Sequence, residues 1–277
     1  MPDTALKQKE TELLKFLSGL TGPAVALSGG VDSALLLAAC CRAGAEPVAI
    51  TAFTPLQPSF ERQDARNAAQ QAGCKLYVLE PDPLRLDEFC ANDSRRCYYC
   101  KRLVFGAIKA KAQTLGCKAW LDGANADDAG DYRPGMQAAA ELGFISPLLA
   151  CGFTKQDVRA LAAAYGLAAA HKPAYACLAS RIAYGEKITA VRLAMVEQAE
   201  DALRKLGLQD LRVRCHGTLA RIEIAPEQIE LAAGALRQQI VAAVRQAGFS
   251  YVTLDLQGFA SGSMNRLLAD VSAKTAR

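Results

Sequence analysis

Several stretches of this sequence bring together residue types that do chemistry. Residues 28–33, Ser28-Gly29-Gly30-Val31-Asp32-Ser33, set two glycines, two hydroxyls and a carboxylate between two apolar runs. Glycines let a backbone close on an anion and tolerate positive φ. A strand-to-helix junction aims free N–H groups and the positive end of the helix dipole at the same place. The lysine of the Walker A pattern and the spacing of GxGxxG are both missing, which disfavours γ-phosphate transfer. Taken alone, the six residues also read as a plain strand-to-helix turn. Residues 122–135, "DGANADDAGDYRPG", crowd Asp127, Asp128 and Asp131 around Asn125, with Arg133 close behind. Carboxylates and an amide beside a phosphate site suit Mg²⁺ and nucleotide positioning, and an arginine there neutralises charge developing on phosphate. The same composition also makes a good turn.

The cysteines raise a second chemistry. Cys97 and Cys100 stand at i, i+3, on one side of a turn. A lone CxxC is open to a zinc half-site, a redox pair or coincidence, and no second CxxC follows to complete a zinc ribbon. Cys177 lies in the irregular stretch "AYACLASR", with Lys172 and Arg181 near it in sequence, and basic neighbours favour a thiolate. Cys40 and Cys41 in an apolar helix, Cys74 and Cys117 at strand entrances, Cys151 in a turn and Cys215 on an apolar strand face read as structural. Cys90 has no assigned role and can replace Cys97 as a ligand if Cys97 points away.

Arg212, Arg214 and His216 alternate with Leu211, Val213 and Cys215, so strand period puts the basic residues on one face. Arg221 and Glu223 join that face if the next strand pairs back across "HGT". The face is either solvated or an anion site, where two guanidiniums hold a phosphate bidentately.

These residues need elements to carry them. Buried strands are predicted at 23–28, 47–53, 75–80 and 118–124, and helices at 31–43, 59–72, 101–115 and 154–165. Such alternation predicts an α/β fold with a parallel sheet covered on both faces. The glycine loop then lies at the C-terminal edge of the first strand, where open α/β sheets bind ligands. From 189 a helix (189–206), the strands "LRVRCHG" and "LARIEIA", a helix (226–247) and the strand "YVTLDL" predict a smaller α/β domain. The expected organisation is 1–170, a loop or linker over 171–188 that carries Cys177, and 189–277.

The chain has 277 residues, 51% of them hydrophobic, enough for one large domain or two smaller ones. A net charge of +4 with scattered Lys and Arg disfavours a dedicated nucleic-acid binder. No apolar run reaches the length of a membrane span and no signal-peptide pattern opens the chain, so a cytoplasmic protein is expected. Ten cysteines then point to core positions, metal ligands or catalysts rather than disulfides.

"SGGVDS" resembles the PP-loop signature of the ATP pyrophosphatase superfamily, which splits ATP to AMP and pyrophosphate while adenylating a substrate oxygen. With "RRCYYCKR" (95–102), "DGANADDAGDYRPG", "KPAYACLASRIAYGEKIT" (172–189), "VRCHGTLARIEI" and "FSYVTLDLQGFASGSMN", nearly the whole chain resembles the LarE family of ATP-dependent sulfur transferases. The resemblance implies an ATP site at Ser28, Gly29, Gly30, Val31, Asp32, Ser33, Ala52, Gly123, Asn125 and Asp127, with Asp32 on Mg²⁺. It implies a mononucleotide substrate held by Arg181, Arg212 and Arg214, and a divalent ion near Glu200 and Glu223. The implied reaction adenylates a carboxylate of pyridinium-3,5-biscarboxylic acid mononucleotide and turns it into a thiocarboxylate, for the nickel-pincer nucleotide of lactate racemase.

In one branch of the family the loop cysteine, here Cys177, gives up its sulfur and becomes dehydroalanine. Members with an added CxxC are thought to hold a [4Fe-4S] cluster on three cysteines, here Cys97, Cys100 and Cys177, with sulfide or another sulfur donor recharging it. The cluster reading is preferred here. The resemblance also implies a homo-oligomer. The rival readings are a PP-loop tRNA thiolase and a non-catalytic nucleotide- or metal-binding protein.

Overall fold

A computed structural model describes residues 4–128, 134–172 and 176–260. The described chain runs α1 (Thr4–Ser18), β1 (Ala24–Ala26), α2 (Val31–Arg42), β2 (Val48–Ala52), α3 (Ser59–Gln71) and β3 (Leu76–Leu79). It continues with α4 (Asp87–Cys90), α5 (Arg96–Thr114), β4 (Trp120–Leu121), α6 (Pro134–Glu141), α7 (Pro147–Ala150) and α8 (Lys155–Ala164). Last come α9 (Ala190–Lys205), β5 (Arg212–His216), β6 (Leu219–Glu223), α10 (Ile229–Ala233), α11 (Arg237–Gln246) and β7 (Tyr251–Leu254). Among these, no helix is long and apolar enough to cross a membrane.

Two compact units divide the chain, 1–83 with 97–175, and 84–96 with 176–277. The first is built on a parallel sheet in the order β3-β2-β1-β4. Successive side chains of a strand face opposite sides, and both sides are packed. Val25 and Ala49 enter a core with Leu13, Leu36 and Leu161 of α1, α2 and α8. Ala24 and Ile50 enter another with Phe105, Ile108 and Phe144. Strands on both faces buried explain the near-continuous apolar runs in the sequence. Because β2 lies on one side of β1 and β4 on the other, the crevice at the C-terminal end of β1 is the topological switch point of the sheet.

The second unit carries a three-stranded sheet, β5-β6-β7, in which β5 and β6 are antiparallel and β6 and β7 parallel. Its division from the first unit differs from the expected single boundary, because residues 84–96 belong to it. The cause is Asn92, fully buried, whose Nδ2 donates to the carbonyls of Ala183 and Glu186 while its own carbonyl accepts from Gly185 N. These bonds satisfy a buried amide with partners ninety positions away, which no local pattern reveals. The helix expected over 226–247 is also broken, into α10 and α11, where Gly234 takes φ −100°, ψ −101°.

Candidate active site

The glycine loop leaves β1 between α3 and the segment after β4, and two glycines there, Gly29 and Gly123, have no room for a side chain. Gly29 has φ +87°, and a Cβ there would lie 2.7 Å from the backbone N of Ala65 in α3. Gly123, after β4, abuts the start of α2, where its Cβ would meet Ser33 N at 2.9 Å. Gly30 is looser, with φ −73° and only Ser28 Oγ at 3.5 Å. Ser33 Oγ accepts from Ser28 N (3.1 Å) and donates to Gly30 O (3.1 Å), while Ser28 Oγ accepts from Gly30 N (3.3 Å). The two hydroxyls, expected at the ATP site, here close the loop on itself.

Asp32 lies in the first turn of α2. Its Oδ1 accepts from Asn125 Nδ2 (2.9 Å), and its Oδ2 forms an ion pair with Lys155 Nζ. Asn125, buried, also accepts from Asp127 N at 3.0 Å. Asp127 has another task than the expected one. It is exposed, lines neither cavity described below, and its Oδ2 accepts from Lys155 N (2.8 Å) at the start of α8. Asp128 is the carboxylate of that pair that lines the main cavity. Asp131 and Arg133 lie outside the described residues.

Two cavities of the first unit share Ser28 and Asp32. The larger, about 450 Å³, has a polar end at Ser28, Asp32, Ser33, Asp122 and Asp128, with Ala52 and Gly123 beside it. Its other wall is apolar, from Val104, Phe105 and Ile108 of α5 and Met136 and Ala139 of α6. A cavity with one apolar wall and a few convergent polar groups suits a small-molecule ligand such as a nucleotide. The smaller cavity, about 220 Å³, takes Gly29, Gly30 and Val31 together with Lys155, Arg159 and Lys172. There Lys172 pairs with Asp64, and Arg159 donates to the carbonyls of Ala170 (2.8 Å) and Lys172 (2.9 Å). Sequence reasoning had not assigned Lys155 and Arg159 to the site. Their signal was the Thr154–Asp157 capping box, which starts α8 at Lys155 and leaves residues 155 and 159 on one helical face.

The CxxC opens α5 instead of preceding a helix at 101. Cys97 is exposed, Cys100 is half-buried, and Cys97 and Lys101 line the larger cavity on the same helix face as Phe105 and Ile108. Spacings of 4, 8 and 11 residues from Cys97 put it on the apolar wall of that cavity. Cys90 belongs to the second unit, where it is buried and donates to Leu84 O at 3.3 Å. Among the described residues, no group of three His, Cys, Asp or Glu side chains is placed to hold a metal ion.

In the second unit Cys177 is exposed while its carbonyl is held by Ser180 N (2.9 Å), Ser180 Oγ (2.7 Å) and Arg181 Nη1 (3.0 Å). Arg181 is fully buried and also donates to Ala176 O and, through Nε, to Glu200 Oε1 at 2.9 Å. It therefore fixes the backbone that carries Cys177. The hairpin register puts Arg212 opposite Glu223 and Arg214 opposite Arg221, as the alternation required. The face is not solvated, however. Arg214 donates twice to Glu223 Oε2 (2.7 and 3.0 Å), and Arg221 bridges Glu223 to Asp255.

The divalent ion expected near Glu200 and Glu223 finds its carboxylates already taken. Glu200 holds Arg181, Arg204 and Val213 N, and Glu223 holds Arg214 and Arg221. Guanidiniums satisfy these buried acids in place of a metal. Of the three arginines expected on the substrate, only Arg212 forms no ion pair with a described carboxylate. It stacks on Phe259 and donates to Leu211 O at 2.7 Å. Burial, then the neighbouring Arg181 cation, lowers its pKa, so an anion at this place gains from relieving the repulsion. Burial, then Arg221, also lowers the pKa of His216 and keeps it neutral at pH 7.

No family model matches the chain. It is 40% identical over 265 residues to an uncharacterised protein of Synechocystis, covering 95% of this chain and 99% of that one. It is 36% identical over 272 residues, 98% of each, to the pyridinium-3,5-bisthiocarboxylic acid mononucleotide synthase of Lactiplantibacillus plantarum. A tRNA-specific 2-thiouridylase of Moorella thermoacetica is 31% identical over 53% of each chain. The second of these likenesses runs through both units, the phosphate loop and the Cys177 segment together, whereas the thiouridylase shares only about half. The chain belongs to the LarE family of PP-loop ATP-dependent sulfur transferases.

Proposed function

We propose that this protein adenylates a carboxylate of pyridinium-3,5-biscarboxylic acid mononucleotide and converts it to a thiocarboxylate, on the way to the nickel-pincer nucleotide of lactate racemase. The observation that carries the reading is the full-length likeness to a synthase of the bisthiocarboxylic acid mononucleotide, joined to a cavity that sets the thiol of Cys97 on the wall facing the phosphate loop. In the first step a carboxylate oxygen attacks the α-phosphorus of ATP, and the bond to pyrophosphate breaks. Lys155, Arg159 and Lys172 line the cavity that suits the leaving pyrophosphate, whose charge would release Lys155 from Asp32 and Lys172 from Asp64. Asp32 would then be open to Mg²⁺, which commonly takes one or two carboxylates with the remaining oxygens from phosphate and water. In the second step sulfur attacks the acyl carbon and AMP leaves.

In this reading the transferred sulfur is a sulfide carried on a [4Fe-4S] cluster, which Cys97, Cys100 and Cys177 would hold. Cys97 and Cys100 share one turn of α5, and the family resemblance supplies Cys177 as the third ligand. Held by these three thiolates, such a cluster would supply an iron able to carry an extra sulfide. Sulfide or another donor and a homo-oligomer complete the reading and rest on the family resemblance, with the cytoplasmic location expected above.

Intact-mass spectrometry after anaerobic turnover tests the sulfur source. The cluster reading expects about four irons per chain, more than one thiocarboxylate per chain with added sulfide, and loss of most iron in each Cys→Ala variant of the three. A stoichiometric mass loss of one H₂S at position 177, with one sulfur delivered per chain, would establish sacrifice of Cys177 instead.

Arg212 is the second test. Arg212→Ala is expected to weaken the mononucleotide substrate about ten- to a hundredfold, the range of a charge-assisted hydrogen bond of roughly 1.5–3 kcal/mol, and to leave ATP binding unchanged. Calorimetry that finds equal substrate affinity in variant and wild type removes Arg212 from the site.

A further inference from the structure

Cys41 ends α2, and Cys74 follows the Gly73 turn after α3. Their sulfurs are 3.1 Å apart, only about 1 Å longer than a disulfide bond. Both thiols are half-buried and both lie 3.6 Å from the carbonyl of Ala72, whereas Cys40 beside them is fully buried. The sequence pattern had suggested that all three only fill the core.

The environments divide the labour between these thiols. A hydrogen bond from Cys74 holds the Cys41 thiol down at about 7, so near-neutral pH gives a large thiolate fraction. That bond, then burial, pushes Cys74 up, and burial takes Cys40 up to about 12. One accessible nucleophilic thiol in contact with a second thiol is the arrangement of an attacking and a resolving cysteine.

We propose that Cys41 and Cys74 are a redox-active dithiol, which a low-molecular-weight disulfide such as oxidised glutathione converts into an intramolecular disulfide bond. The Cys41 thiolate attacks one sulfur of the small disulfide, whose S–S bond breaks. One small thiolate leaves and takes up the proton that Cys41 released. Cys74 then loses its proton and attacks Cys41 Sγ, expelling the second small thiol. Two protein thiols are oxidised and one disulfide is reduced to two thiols, so electrons and protons balance.

The bond would act on the frame of the phosphate loop. α2 starts at the loop itself, with Gly30 as its N-cap, and α3 presses its Asp64–Ala65 backbone against Gly29. The disulfide ties the far end of α2 to the turn that ends α3, closing a covalent ring through β2 and α3 and fixing the end of α2 to it.

The test equilibrates the full chain in mixtures of reduced and oxidised glutathione, traps thiols with acid and an alkylating agent, and maps the peptides. The expected product is one cross-linked pair, Cys41–Cys74, lighter by two hydrogens, with Cys40 recovered as an alkylated thiol. Cys74→Ser should stop at a glutathione adduct on Cys41. Cys74→Ala, which removes the donor altogether, should also slow alkylation of Cys41 at pH 7 by at least about tenfold, as its thiolate fraction drops. The oxidised wild type should melt about 5 °C or more higher than the reduced form, since the bond closes a long loop, and Cys41→Ser should lose that gain. Recovery of both thiols free after oxidised glutathione alone, or a lasting glutathione adduct on wild-type Cys41 without the cross-link, would overturn the proposal.

Discussion

Gly29→Ala is expected to lower ATP-dependent pyrophosphate release by about a hundredfold or more, the scale of a 1 Å misplacement in an active site. At φ +87° a Cβ carries the left-handed penalty of about 1–2 kcal/mol. It also sits 2.7 Å from Ala65 N, a backbone atom of a packed helix that has nowhere to go. The strain can be relieved only by moving the loop or α3, and either movement spoils the phosphate cradle. Gly30→Ala is the control, because its Cβ meets nothing closer than Ser28 Oγ at 3.5 Å. Its melting temperature should match wild type, so activity it loses reports the ligand's own need for space. A Gly29→Ala protein that releases pyrophosphate at the wild-type rate would remove the loop from the ATP site.

Glu223→Ala is expected to destabilise the second unit by about 3–5 kcal/mol, the cost of leaving a buried cation without its partner. Glu223 is wholly buried, and the side chain of Arg214 is only 7% exposed, so water cannot replace the carboxylate. Arg221 loses a partner as well. A solvated sheet face predicts something quite different, about 1 kcal/mol at most for an exposed pair. Urea unfolding followed by circular dichroism separates the two. A loss below about 1 kcal/mol would show that the guanidiniums find other partners and that the network is not structural. Glu200→Ala should behave similarly, and limited proteolysis should then cut first near Cys177. The reason is that Glu200 holds Arg181 and Arg181 holds the carbonyls of Ala176 and Cys177.

Local pattern alone carried a good part of this protein. Apolar runs alternating with amphipathic stretches foretold the parallel sheet, because burial on both faces demands continuous apolar strands. The glycine loop could be set at the end of β1, because only a strand-turn-helix passage explains two glycines and a capping position there. The period of two put Arg212, Arg214 and His216 on one face before any register was known. Each of these follows from backbone geometry over a few residues, which neighbouring side chains fully express.

What the pattern could not contain was the partner of each charge. Arg214 reads equally well as a solvated side chain, a phosphate ligand or half of a buried pair until β6 brings Glu223 against it. Asp32 looked like an open metal ligand until α8 delivered Lys155 from 123 positions away. Residues 84–96 looked like a connector of the first domain until Asn92 filled the polar demands of the 182–186 loop. Cys41 and Cys74, thirty-three positions apart, looked like separate core residues until two helix ends met. Burial and charge pairing are set by contacts between distant segments, so the tertiary structure alone decided which polar groups are structural and which remain open to a ligand.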